Sequence, residues 1–216
     1  MKPYYEHAGI TIYHGDCREI LPSLEPVDLV LTDPPYGIGE DSYRSANKGK
    51  LAKTTDYGKF DWDVKLDRET IDLIRRAGYH QIIFGGNYYA DWLPASRCWV
   101  VWDKNNTGGF ADCELAWTSL DKAVRMYKYR WNGMLQQLGV PKEKRLYPTQ
   151  KPISLMRWCV LLADNVCSVI DPCMGGGSTI RAAKDLGLQH IIGIDKRETA
   201  CEIAAQRLSQ EVLWCV

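Results

Sequence analysis

Short β-branched or apolar runs alternate along this chain with stretches of helical period, and that alternation narrows the folds open to it more than any other feature. The runs lie at residues 9–13, 27–32, 81–84, 98–102, 114–118, 168–170 and 190–194. Residues 66–77 place Leu66, Ile71, Leu73, Ile74 and Ala77 broadly on one side of a helix. Residues 154–165 and 199–210 also read as helices, the second aligning Ala200, Ile203, Ala204 and Leu208. Strands alternating with helices predict an α/β layer with a mostly parallel, twisted sheet and helices on both faces. The 216 residues suffice for one ordinary domain of this kind, and residues 1–216 are read as one domain.

Apolar residues make up 45% of the chain, too many for disorder. Lys+Arg and Asp+Glu both total 27, so the net charge is zero and any basic surface must be local. The first residues hold no apolar signal core, and no run approaches the ~18 apolar residues of a membrane span. A cytoplasmic protein with no membrane partner is expected. The eight cysteines are scattered, without Cys-x-x-Cys or zinc-type Cys/His spacing. Reduced thiols and no metal are the expectation.

Two stretches break the strand–helix rhythm. Residues 42–60 begin with a run holding Arg44, Lys48, Lys50 and Lys53, and read as a mobile basic loop. Within residues 119–146, seven basic residues, among them Arg125, Lys128 and Arg130, interleave with Tyr127, Tyr129 and Trp131. A charge run is more often plain solvated surface. Interleaved aromatics shift the second stretch towards nucleic acid, because bases stack on rings while cations meet phosphates.

Asp33-Pro34-Pro35-Tyr36 follows directly on the apolar run 27–32. A strand emptying into this tetrapeptide fixes a carboxylate at the carboxyl edge of the sheet, where α/β ligands bind. Two prolines stiffen the turn and remove two N–H donors, leaving carbonyl acceptors beside a flat ring. Such a cluster suits an exocyclic amino group, though an Asp-Pro turn closing a strand is an equal reading of the tetrapeptide alone. Residues 168–179 form a second unit: a strand, Asp171-Pro172-Cys173, the turn Gly175-Gly176-Gly177, and a helix start at Ser178-Thr179. Glycines permit close backbone approach, and a helix N-terminus favours negative groups. The run ending at Ile194 delivers Asp195, 18 residues after Gly177, where an acid commonly accepts from ribose hydroxyls. Together these point to an adenosine-containing cofactor. The third glycine of the dinucleotide fingerprint is missing, and so is a phosphate loop.

With these motifs in hand, the chain resembles the amino-methylating DNA methyltransferases, in the permuted β-type order with the catalytic motif ahead of the cofactor loop. Asp33-Pro34-Pro35-Tyr36 matches the catalytic motif residue for residue. Gly15-Asp16-Cys17, Phe84-Gly85-Gly86-Asn87, Trp102-Asp103-Lys104 and Glu114-Leu115-Ala116-Trp117 fall where the family has similar segments. Tyr147-Pro148-Thr149-Gln150-Lys151-Pro152 is similar to its His-Pro-Thr-Gln-Lys-Pro segment, with Tyr147 in place of His. The stretch from Asp171 to Thr179 resembles its cofactor loop, with Cys173 replacing Phe and Gly176 replacing Ser.

The resemblance implies a Rossmann-like methyltransferase that takes a methyl group from S-adenosyl-L-methionine to adenine N6 in DNA. It implies Asp16, Cys17, Asp33, Thr149, Lys151, Asp171, Pro172, Gly175, Gly177, Ser178, Thr179 and Asp195 around the cofactor. Asp33 and the Pro34 carbonyl would accept the amino hydrogens of a flipped base stacked on Tyr36, with Pro35 stiffening the turn. DNA contacts would come from Tyr36 and the basic residues of the two stretches, with 119–146 standing in place of a full recognition domain. A homodimer and a cognate restriction endonuclease are compatible partners. Cytosine N4 is the alternative target, a non-catalytic DNA- or cofactor-binding subunit the alternative role, and RNA or a protein glutamine the alternative substrates. Pro172-Cys173 evokes the nucleophile of cytosine-C5 enzymes, but within the cofactor loop it would face the donor, not the base.

Overall fold

The computed structural model describes residues 2–38, 63–105, 111–132 and 135–209. Arg44, Lys48, Lys50 and Lys53, with the whole of the 42–60 loop, lie outside these residues. From the N-terminus run β1 (Tyr5–His7), β2 (Ile10–His14), a short α1 (Cys17–Ile20), β3 (Val27–Thr32), α2 (Arg68–Arg76) and β4 (Gly78–Phe84). Then come β5 (Trp99–Asp103), β6 (Cys113–Thr118), β7 (Arg125–Lys128), and a small ribbon of β8 (Trp131–Asn132) and β9 (Leu135–Gln136). The last part holds α3 (Ile153–Leu162), β10 (Ser168–Asp171), α4 (Ser178–Asp185), β11 (His190–Asp195) and α5 (Glu198–Ser209). Among the described residues no helix is long and apolar enough to cross a membrane.

Nine strands form one sheet among the described residues, in the order β1-β2-β11-β10-β3-β4-β6-β5-β7. The five from β2 to β4 are mutually parallel, and β6 is antiparallel to both its neighbours. At the centre β10 pairs with β3 through Val169↔Leu29 and Ile170↔Val30. From this seam the chain proceeds to β11 on one side and to β4 on the other. Connections that diverge leave a crevice between the carboxyl ends of the two strands, the usual ligand position in such sheets.

Side-chain alternation decides what covers each face. On β3, Leu29 and Leu31 point into one apolar cluster and Val30 into another. The first cluster takes Leu155 and Cys159 of α3, Ile180 and Ala183 of α4, and Ala204 of α5. The second takes Ile20 of α1 and Ile71 and Ile74 of α2. Both faces are therefore buried, which is why Leu29, Val30 and Leu31 are consecutive apolar residues instead of alternating with polar ones. The expected α/β layer, mostly parallel with helices on both faces, is present.

One expectation is corrected. Tyr129 and Trp131 are buried in the apolar cluster under α3–α5, and Tyr127 stacks on Tyr129 (centroids 5.9 Å apart) and packs on Trp158 at 5.1 Å. These rings serve the core and the sheet edge, not base stacking. The physical reason is β7 itself: pairing in parallel with β5, from Val100↔Arg125 to Asp103↔Lys128, draws the segment onto the sheet. Arg125 and Lys128 remain exposed and Arg130 half-buried.

Candidate active site

Strand β3 delivers Asp33 to the carboxyl edge of the seam, and three neighbours fix the turn that follows. The Tyr36 hydroxyl donates to one Asp33 carboxylate oxygen and the Lys151 ammonium to the other. The Tyr89 hydroxyl donates to the Pro35 carbonyl. The Tyr36 ring stacks on Tyr88, with centroids 4.8 Å apart and planes 19° from parallel. Against it also lies Gly85, where an added Cβ would sit 2.0 Å from Tyr36 Cε1. Tyr36 thus both orients the carboxylate and presents a ring already covered in part by Tyr88.

Lys151 is 9% exposed and lies 3.1 Å from Glu114 Oε2, while Glu114 Oε1 lies 2.5 Å from Lys104 Nζ. Asp33, Lys151, Glu114 and Lys104 therefore alternate in sign, and their formal charges cancel. Burial raises the Asp33 pKa, Lys151 lowers it and Glu114 raises it, leaving the carboxyl above the ordinary aspartate range. Burial likewise works against the Lys151 ammonium, but Asp33 and Glu114 outweigh it and hold the amine protonated. On Glu114 burial is outweighed by Lys151 and Lys104, so that carboxyl lies below its usual range.

A cavity of about 300 Å³ opens at this edge, running from Asp33 and Pro35 past the glycine turn to Asp195 and Asp16. Asp195 accepts the Gly175 and Arg197 backbone N–H groups, both at 2.9 Å, and burial lifts its carboxyl to about 6. Asp171 accepts from Thr32 Oγ1 at 2.7 Å and from the Cys173 N–H at 3.1 Å, tying β10 to β3 across the seam. Burial nonetheless pushes its carboxyl up to about 7. Asp16 caps α1 by accepting the Arg18 N–H at 2.9 Å, and the Arg18 guanidinium grips both its oxygens at 3.0 and 2.6 Å. That contact holds Asp16 below the usual carboxylate range. An added Cβ would stand 3.0 Å from the Tyr147 ring at Gly175 and 2.8 Å from Tyr147 Cβ at Gly176, so only glycine lets Tyr147 pack this closely on the turn. Cys173 is held protonated, first by its hydrogen bond with Cys17 and then by burial, which removes it as a thiolate nucleophile.

Of the residues expected around a cofactor, Asp16, Cys17, Asp33, Thr149, Lys151, Asp171, Pro172, Gly175, Ser178, Thr179 and Asp195 all line this cavity. Gly177 does not; it abuts Ala204 on α5, where a Cβ would approach to 2.8 Å. Pro34 and Tyr36 also lie outside the lining, next to Asp33. Lys151 turns to Asp33, 118 residues earlier in the chain. Arg125, Lys128 and Arg130 stand apart, on and just after β7, four strands from β3 and hence roughly 19 Å away along the sheet. Lys128 lies 3.8 Å from Asp103. Sequence reasoning gave no individual role to Glu114, Lys104 or Tyr88. The signal available was an acid inside the apolar run 114–118.

A family model described as DNA methylase, of the N6/N4 methyltransferase group, matches residues 94–206, just over half of the chain. Type II methyltransferase M.HinfI of Haemophilus influenzae is 27% identical over 93% of this chain and 68% of its own length. Type II methyltransferase M2.MboI of Moraxella bovis is 22% identical, over 96% and 91% respectively. The M1.HpyAVI–SAM complex superposes with a TM-score of 0.59 at 25% identity, covering 92% of this chain and 99% of that one. The cytosine-N4-specific PvuII DNA methyltransferase shares the fold, with a TM-score of 0.64 at 14% identity over 97% of this chain and 90% of that one. With an Asp-Pro-Pro-Tyr turn and a glycine-rich turn meeting at one cavity, and a family match over half its length, the chain belongs to the N6/N4 family of DNA methyltransferases.

Proposed function

We propose that this chain transfers a methyl group from S-adenosyl-L-methionine to the exocyclic N6 of adenine in DNA. The observation that carries the reading is Asp33: a carboxylate oriented by two donors at one end of a cavity whose walls include the glycine turn and Asp195. A carboxylate has about four acceptor positions, so the bonds from Tyr36 and Lys151 leave room for an amine N–H.

The cavity suits the cofactor on its own chemistry. Asp195 and Asp16 place carboxylate acceptors for hydroxyl and amino groups, and the turn at Gly175 and Gly176 forms part of the cavity wall. The Tyr147 hydroxyl, buried without a hydrogen-bond partner among the described residues, offers a further donor on the same lining. When bound, S-adenosylmethionine supplies an electrophilic methyl group. The chain's own part is positioning and oriented acceptors. Asp33 and the Pro34 carbonyl accept the two amino hydrogens, which opposes delocalisation of the nitrogen lone pair into the ring. Once nitrogen carries the fourth bond, its surplus proton passes to Asp33. The flipped base uses the Tyr36 ring, sharing it with Tyr88 or displacing it.

Mass spectrometry of nucleosides from DNA incubated with the protein and labelled cofactor tests this reading. N6-methyladenine is expected. N4-methylcytosine alone would reassign the target, and unlabelled DNA beside labelled RNA or protein would reassign the substrate. Asp33→Ala should keep cofactor affinity while losing most turnover, because it deletes an interaction made chiefly as the amine reacts.

A further inference from the structure

Glu114 has no part in the chemistry above, yet only one ammonium group separates it from the acceptor. It lies on β6, which runs antiparallel between β4 and β5. Its side chain is 23% exposed, that of Asp33 18% and that of Lys151 9%, so none of the three charges is well hydrated. Charges in such places persist only when paired, and removing one partner leaves the other costly to keep ionised. The Lys151 ammonium lies 5.3 Å from the centre of the Phe84 ring and 5.8 Å from that of Tyr36, which narrows its choice of position. Lys104 anchors the far oxygen of Glu114.

We propose that Glu114 is a positioning residue for methyl transfer: it holds Lys151 and shares its charge, and so sets how strongly Asp33 accepts the hydrogens of the amine. The inference rests on Asp33 being that acceptor. With Glu114 absent, the Lys151 ammonium would give its whole charge to Asp33 and weaken it as an acceptor and proton carrier. With Lys151 absent, two carboxylates would face each other and Asp33 would take up a proton. Among the described residues, the other groups facing Asp33 are Tyr36, through its hydroxyl, and Asp171 and Tyr89 through space. They stay constant across the variants below.

The test is the pH dependence of kcat at saturating cofactor and DNA for wild type, Glu114→Gln, Lys151→Met, Lys104→Met and Asp33→Asn, with thermal unfolding as a check on each. Turnover is lost on the acid side as Asp33 protonates. Glu114→Gln removes an anion and should move that limb about one unit lower, with a several-fold lower plateau. Lys151→Met should move it about one unit or more higher. Lys104→Met, which leaves Glu114 to Lys151 alone, should move it higher by a smaller step. Opposed shifts are a signature that mere loss of structure does not give, since misfolding lowers the rate at every pH. Should Lys151→Met fail to fold, Glu114→Gln and Lys104→Met carry the test between them. Limbs that coincide with wild type, or that shift with the same sign in those two, overturn the proposal. A fully active Asp33→Asn overturns instead the reading of Asp33 as acceptor, and this proposal with it.

Discussion

Asp171 and Asp195 close adjacent parallel strands in the same way, yet they differ in what they face. Asp195 binds the glycine turn, whereas Asp171, 3% exposed, braces Thr32 across the seam. Burial lifts the Asp171 carboxyl to about 7, so the folded chain keeps a proton there that the unfolded chain, at about 3.9, gives up. Its contribution to stability is whole below about pH 4 and is lost as pH rises through about 7. Asparagine keeps one oxygen acceptor and has no proton to lose. Denaturant unfolding should therefore show Asp171→Asn gaining on the wild type between pH 4 and pH 8, by on the order of 4 kcal/mol. A difference that does not change with pH would mean that Asp171 ionises inside the fold as readily as in water.

At the scale of elements, the join between β4 and the turn behind it decides where the Tyr36 ring rests. Gly85 has φ +67°, and a Cβ there would collide with that ring; Gly187 has φ +75° but nothing within 4 Å. Both alanine variants meet the same backbone strain, of about 1–2 kcal/mol. Only Gly85→Ala displaces the hydroxyl that orients Asp33. Steady-state assays below either melting temperature should find kcat strongly reduced in Gly85→Ala and close to wild type in Gly187→Ala, with Gly85→Ala also melting lower because of its added overlap with Tyr36. Equal activity in the two would detach Tyr36 from the reaction.

The elements that sequence reasoning located are those whose signal is local. The run 27–32 became β3 with those bounds, because a strand buried on both faces carries a stretch of consecutive apolar residues, here Leu29-Val30-Leu31. The turn after Asp171 was legible because its glycines answer a local need for space. By contrast β7, reading Arg125-Met126-Tyr127-Lys128, has no apolar alternation; it is an edge strand defined by its partner β5. The four residues of α1 are too few for a helical period. The Lys151–Asp33 pair joins residues 118 apart, and no short motif encodes such a contact. Tyr129 and Trp131 misled for the reverse reason: a local pattern of rings and cations was taken up by the core.

For the molecule as a whole, zero net charge means that affinity for DNA must come from patches. Only 28 residues separate Thr118 from Tyr147, and β7 commits part of them to the sheet. Phosphate contacts from exposed basic side chains carry little sequence information. A short or degenerate target is expected, with binding that falls steeply as salt rises. Neutralising Lys128 and Arg130 together should weaken binding to many sequences alike and flatten the salt slope, leaving preference unchanged. Mapping methylated positions on genomic DNA checks the first point; confinement to one undegenerate site of about six or more bases would contradict it.

The central seam also governs how this chain comes to fold. β3 pairs with β10, and the Thr32–Asp171 hydrogen bond spans 139 residues. During synthesis β3 emerges long before its neighbour on that side exists, and contacts of such high sequence separation are slow to form. Until they form, an apolar strand edge at the middle of the future sheet stays open to other chains. Neither half of the site can mature alone, since the acceptor turn and the glycine turn gain their fixed relation only when that seam closes. A half-folded molecule therefore lacks an assembled site, and the same arrangement leaves the folding chain open to aggregation for as long as the seam is unformed.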